Sequence, residues 1–378
     1  MLHMDALVDS AQAKAGLSDF GSDSWRTGLE RLVRSINEEA ALNELGEQVL
    51  TEYLTGKLIC RLQMEDWFRR YPEIAEQEVA APIFGLGLPR TGSTALGVML
   101  GQDPARRSLR TWEAEWPCPP PETATQDSDP RIAPSQAALD ALVEMFPDYA
   151  GMLPISALAP TECLLILSLD FRSMDFEARA RVDSYNQWLL DGDMEPGYRY
   201  HKRVLQLLQW RCPPNRWFLR TPAHSPSIAT LDRVYPDARF VMTHREIGRI
   251  IPSLVALISA LSASLTRRHD PAKMARDAMD FWEVSLKRLL AFRDAGNEHR
   301  FFDIDFAEFQ AAPMEPIRRF YDWLGEPLTE EAERRMIAWW QQHAETRQPS
   351  KRHSAAELGV SEGEMAERFA FYNDRFAG

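Results

Sequence analysis

The residues of this chain that point most directly to chemistry are Gly87-Leu88-Pro89-Arg90-Thr91-Gly92-Ser93-Thr94. An apolar run from Ala80 to Leu86 leads into them, and Ala95 to Leu100 continues with a helical pattern. In such a strand–turn–helix order, the first N–H groups of the helix point outward at the positive end of its dipole and bind anions. Gly87 and Gly92 let the backbone close around a phosphate or sulfate, and Thr91, Ser93 and Thr94 add hydroxyl groups. The cation is displaced, however. A triphosphate-binding loop has Lys directly after its second glycine, acting on the β- and γ-phosphates. Here that position is Ser93, and the charge is Arg90, inside the turn. Arg can hold a phosphate or sulfate bidentately, so anion binding is favoured over magnesium-dependent triphosphate chemistry. The competing readings are a kinase or ATPase loop, and a tight turn with no ligand.

A second candidate anion contact is Arg245. It follows an expected strand, Arg239–Thr243, and Ser253 stands eight residues later. Strand C-termini of a parallel sheet gather along one edge, where ligands bind. Arg245 therefore falls beside the glycine loop if the two strands are neighbours. A surface ion pair is its structural alternative.

These residues need a scaffold, and the pattern around them describes one. From Trp25 to about Trp67 apolar residues recur at helical steps. Strands are expected at 80–86, 216–220, 239–243 and 300–305. Helices are expected at 95–100, 136–146, 161–167, 200–210, 225–234, 247–265, 314–324, 329–343 and near 361–371. Pro117 to Pro134, with Pro119-Pro120-Pro121, reads as a long loop, of the kind that forms a lid or substrate wall. Strands alternating with helices predict an α/β fold, a P-loop-type parallel sheet flanked by helices. An N-terminal helical region, 1–78, would pack on the main domain, 79–378.

Composition sets outer limits. The 378 residues carry a net charge of −13, which argues against a general nucleic-acid or anionic-membrane binder. It leaves room for one small basic pocket. Cys60, Cys118, Cys163 and Cys212 are scattered, and no two histidines stand four apart, so no metal site is expected. Reduced cysteines and no visible signal segment suggest the cytoplasm. Ile250–Leu265 is apolar but short of the roughly 20 residues a span needs, so a buried helix is expected and no stable membrane insertion.

Together, Pro89-Arg90-Thr91-Gly92-Ser93-Thr94 and the Arg245/Ser253 pair resemble the two cofactor motifs of the sulfotransferases that use 3′-phosphoadenosine-5′-phosphosulfate (PAPS). Trp112-Glu113, Pro119–Pro121, Arg220-Thr221-Pro222-Ala223-His224 and Thr243-His244-Arg245 extend the resemblance to a bacterial branch with a Gly-Leu-Pro-Arg-Thr-Gly loop, over roughly Trp25 to Phe376. Arg220 stands where Lys is commoner, and Glu246-Ile247 where Asp-Pro is usual. The resemblance implies sulfuryl transfer to a hydroxyl of a small-molecule, lipid or sugar acceptor, with PAPS held by Pro89 to Thr94, Arg245 and Ser253. Arg90 would stabilise the leaving phosphate.

Such a reaction needs a base. Glu113 ranks first, 23 residues after Arg90 and where a second strand should start. His224 ranks second, beyond a strand end. Glu162 is third; it opens a helical segment, where the dipole alone favours a carboxylate. Arg220 would stabilise charge or pair with an acid. Ser350-Lys351-Arg352-His353 would close over the 3′-phosphate or stay a solvated charge run. A P-loop kinase or ATPase, and a non-catalytic PAPS-binding relative, are the rival functions. Association into a homo-oligomer is left open.

Overall fold

Five short strands form one parallel sheet: β1 Ile83–Leu86, β2 Arg106–Ser108, β3 Arg216–Arg220, β4 Arg239–His244 and β5 Phe301–Asp305. Their order is β2-β3-β1-β4-β5. The computed structural model describes residues 1–147, 156–213, 216–346 and 354–376. The Ser350–His353 cluster lies outside them. Gly85 pairs with both Arg220 of β3 and Val241 of β4. This register aligns the C-terminal ends of β1, β3 and β4. The segments that follow them therefore emerge side by side.

Helices fill the rest of the chain. They are α1 Met4–Ala15, α2 Ser24–Glu39, α3 Glu44–Arg70, α4 Ser93–Leu100, α5 Thr111–Glu115, α6 Ile132–Met145, α7 Leu164–Leu167, α8 Asp183–Asp191 and α9 Glu195–Gln209. After β3 come α10 Ile228–Val234, α11 Ile247–Ser262 and α12 Pro271–Phe292. After β5 come α13 Phe306–Ala311, α14 Met314–Leu324, α15 Glu330–Thr346, α16 Glu362–Arg368 and α17 Ala370–Phe376.

Alternate strand residues feed opposite faces of the sheet. Phe84, Leu86, Trp217, Leu219, Phe240 and Met242 join a large apolar cluster that also holds Leu32, Leu54, Leu58, Val204, Leu208 and Leu286. That cluster runs without a break through α2, α3, α9 and α12. Ile83, Phe218, Val241 and Ile304 point the other way, to Leu96, Phe309, Ile317, Phe320 and Met336. With both faces covered, the strands are apolar runs rather than alternating ones. A buried ion pair, Arg61 to Asp170 at 3.0 Å, ties α3 to the turn after α7. Arg61 also donates to the carbonyls of Phe20, Leu169 and Ser22, so its charge is fully hydrogen-bonded.

Two expectations change. The second strand is Arg106–Ser108, and Glu113 lies after it in the short helix α5. The chain also forms α1, α8 and the 22-residue α12, which the sequence reading does not anticipate.

Candidate active site

The loop after β1 is built from left-handed backbone. Gly87 has φ +109° and Gly92 has φ +87°, conformations that cost a residue with a Cβ. Arg90 also has positive φ, +62°, at a cost of about 1–3 kcal/mol that the surroundings must offset. They do so with side chains from three later segments. Ser225 Oγ accepts from the Gly87 N–H at 2.9 Å and lies 3.1 Å from the Gly87 carbonyl. Thr91 is fully buried; its Oγ1 donates to the Leu88 carbonyl and meets Thr243 Oγ1 at 2.6 Å. Arg245 Nη1 donates to the Arg90 carbonyl at 3.0 Å, and Arg90 Nε donates to Ser253 Oγ at 3.0 Å. The structure thus brings Arg90, Arg245 and Ser253, far apart in sequence, into one hydrogen-bonded group. Pro89, Arg90, Ser93 and Thr94 remain half-buried, while Thr91 serves the loop's own architecture.

The segment after β4 is braced from behind. His244 Nε2 lies 2.6 Å from Asp303 Oδ1, and Nδ1 lies 2.9 Å from the Tyr372 hydroxyl. Phe376 stacks on the His244 ring at 4.0 Å. Asp303 also accepts from Arg293, and His244 and Arg293 hold its carboxyl well below the usual range despite burial. Arg245 packs over the Phe306 ring at 4.4 Å. Helix α17 is thereby tied to the strand end that carries Arg245.

Arg220 ends β3 and is buried. It reaches Thr94 Oγ1 at 3.4 Å and Glu162 Oε1 at 2.9 Å, and its Nε has no protein partner. Gly97 on α4 makes room for it, since a Cβ there would stand 2.8 Å from Arg220 Cδ. Glu162 also accepts from Thr221 Oγ1 at 3.0 Å. The backbone explains its position. The Thr161 N–H donates to the Leu109 carbonyl, and the Cys163 N–H donates to the Arg220 carbonyl. The long excursion from residue 110 to 160 therefore closes against the ends of β2 and β3 and leaves Glu162 between them.

Glu162, Pro89, Thr221, Pro222 and Ala223 form one part of a cavity of about 450 Å³. Its apolar wall includes Leu254, Leu257, Ile258 and Leu261 of α11, spaced to share one helix face. Ile247–Leu265 is long and apolar enough, by length and composition alone, to cross a membrane. Here those leucines line a cavity, and only 33% of the helix is buried, which corrects the expectation of a buried helix. The run was visible in the sequence; the cavity beside it was not.

The other two base candidates are placed differently. Glu113 is fully buried and does not line the cavity. Its Oε1 accepts from Arg107 Nη2 at 2.7 Å and Gln126 Nε2 at 3.0 Å, and its Oε2 accepts from the Arg110 N–H at 3.2 Å. Glu113 balances a buried guanidinium and caps α5. His224 is also fully buried, with Nδ1 3.0 Å from the Tyr198 hydroxyl. Burial, and His201 beside it, hold its pKa well below the usual range, so it is neutral. His201 pairs with the Tyr235 hydroxyl at 2.7 Å and is pushed down by burial to about 3. The ligand-type atoms of Cys163, His201 and His224 lie within 4.8 Å of one another, and neither Nε2 has a protein partner. No short-range spacing in the sequence announces this group.

The site combines a backbone anion loop, convergent arginines, a half-exposed carboxylate beside them and a largely apolar cavity. That arrangement suits transfer of an anionic group to an apolar molecule. Comparison with known proteins agrees. The model of the sulfotransferase family matches residues 82–330, and the chain belongs to that family. The fold is similar to that of sulfotransferase STF1 from Mycobacterium tuberculosis H37Rv, with a TM-score of 0.87 and 33% identity over 98% of this chain and 99% of that one. It is similar also to sulfotransferase STF9 from Mycobacterium avium, with a TM-score of 0.89 and 33% identity over 100% of this chain and 97% of that one. No curated protein matched the sequence.

Proposed function

We propose that this chain transfers the sulfuryl group of PAPS to a hydroxyl of a mainly apolar small molecule, with Glu162 as the base. The observation that carries the reading is the hydrogen-bonded group of Arg90, Arg245 and Ser253 around the loop, next to a cavity that presents Glu162. The residues suit the nucleotide. Arg220 offers a buried Nε with no protein partner, and Ser93, Thr94 and the α4 amides face an anion at the loop. Arg245 and Ser253 would hold the 3′-phosphate, and Pro89 to Thr94 the 5′ side.

When bound, PAPS supplies an activated sulfuryl group whose leaving group is a phosphate. Glu162 takes the proton of the acceptor hydroxyl as the new oxygen–sulfur bond forms. The leaving phosphate oxygen would keep the electron pair of the breaking sulfur–oxygen bond, and Arg90, the loop N–H groups and the Ser93 and Thr94 hydroxyls would stabilise its negative charge. Arg220, at 2.9 Å, orients Glu162 for this task. An acceptor packed against the apolar wall of α11 would displace water that competes as acceptor.

Calorimetric titration with adenosine 3′,5′-bisphosphate and with ATP tests the donor assignment. The bisphosphate should bind more tightly, and Arg245→Ala should weaken it. Preference for ATP, or no loss in the variant, would overturn the reading in favour of a P-loop nucleotide enzyme. Transfer of label from PAPS to long-chain alcohols then tests turnover, and its absence with every acceptor would leave a non-catalytic relative.

A further inference from the structure

Glu177 lines the same cavity from the turn Met174–Ala178, on a different wall from Glu162. The other buried or half-buried carboxylates there are already paired. Glu162 has Arg220, Asp175 has Arg179, Asp183 has Arg181 and Lys273, and Asp277 has Lys273. Among the described residues, Glu177 has no ion pair. Asn186 of α8 lines the same cavity, and its Oδ1 is buried without a hydrogen-bond partner. Beside Glu177, Arg181 and Lys273 are taken up by Asp183 and Asp277. Arg268 and Asp270 also line the cavity, and Asp270 caps α12 through the Lys273 N–H. Glu177 is left without a cation, and the Asn186 Oδ1 without a donor.

We infer that the acceptor carries an amine, bound as an ammonium by Glu177 and Asn186, at a point on its apolar body away from the hydroxyl that is sulfated. This rests on the proposed sulfotransfer at Glu162 and names the acceptor class for that site. An ammonium would supply the cation that Glu177 lacks, and its N–H groups would donate to the Glu177 carboxylate and the Asn186 Oδ1. Without it, burial and the charges of Asp183 and Asp277 push the Glu177 carboxyl up to about 7, so it is partly protonated at neutral pH. The ammonium therefore displaces a proton as it binds. A plain alkanol fills the same apolar space with no such exchange.

The test is calorimetry on the 378-residue chain saturated with adenosine 3′,5′-bisphosphate, comparing long-chain alkanols, α,ω-diols and ω-amino-alkanols of equal length. The amino-alkanol should bind about tenfold or more tightly than the alkanol, as expected for one charge-assisted contact. Its heat near pH 7 should depend on the buffer, showing release of a fraction of a proton. Glu177→Gln should abolish both the preference and the proton release while leaving alkanol affinity unchanged; Asn186→Ala should reduce the preference. Equal binding of amino-alkanol and alkanol, or a preference that survives in Glu177→Gln, would overturn the inference. Titration of the bisphosphate alone separates the two levels. If it fails to bind the wild-type chain, the sulfotransfer reading falls. If it binds and labelled sulfate passes equally well to alkanol and amino-alkanol, that reading stands and the amine does not.

Discussion

Replacing Glu113 and replacing Glu162 should have opposite signatures. Glu113→Ala would strand Arg107 in the interior, and losing one partner of a buried ion pair costs about 3–5 kcal/mol. Denaturant unfolding should show that loss. Glu162→Gln should leave the unfolding midpoint nearly unchanged and lower kcat by about a hundredfold or more, with the affinity for the bisphosphate retained. Arg245 makes a further distinction possible. It holds the Arg90 carbonyl, so the proposed 3′-phosphate contact and the loop would be coupled. Arg245→Ala should therefore weaken adenosine 3′,5′-bisphosphate by about ten- to a hundredfold and should also weaken adenosine 5′-phosphosulfate, which has no 3′-phosphate. Calorimetry with both ligands checks this. Independent sites would leave the second ligand untouched.

The elements show why some of this was legible in the sequence. The strand, turn and helix around Arg90 are contiguous, so residue types and spacing describe them directly. Arg245 and Ser253 lie on a strand end and the next helix, and the rule that parallel strands end together was enough to bring them to the loop. Glu162 was harder. Its place depends on the pairing of 159–163 with the ends of β2 and β3 across an excursion of some fifty residues, which no local pattern encodes. Glu113 ranked above it because an expected second strand would have carried it to the cofactor edge, whereas that strand ends at Ser108 and Glu113 caps α5. Helix α12 went unanticipated although its start signals, Asp270 as a cap and Pro271 in the first turn, stand in the sequence. The histidines of α9 and of the turn after β3 illustrate the limit, because their meaning is burial. Both are held neutral in the folded chain, whereas an unfolded His titrates near 6.5. Their contribution to stability is thus complete above about pH 6.5 and declines as pH falls below it, because the unfolded chain binds more protons there. Urea midpoints measured between pH 7 and 5 should fall, and unfolding near pH 5 should take up on the order of two protons from these residues.

For the whole molecule, the net charge of −13 and an anionic nucleotide are compatible because the charge is met locally. Arg90, Arg220, Arg245 and helix amides converge on one edge, while most other arginines are spent in ion pairs. Ligand binding should stabilise the whole chain, since the sheet edge is built from three separated segments that unfold together. At a bisphosphate concentration a hundred times its Kd, unfolding should become harder by about 2.7 kcal/mol. Helix α11 adds a calorimetric consequence. Its leucines line an open cavity, so an acceptor that covers them removes hydrocarbon from water. The heat capacity of acceptor binding should be negative and should grow more negative with each methylene added to the acceptor, until the cavity is full. The chain length at which that trend stops measures the acceptor's apolar body before any natural acceptor is in hand.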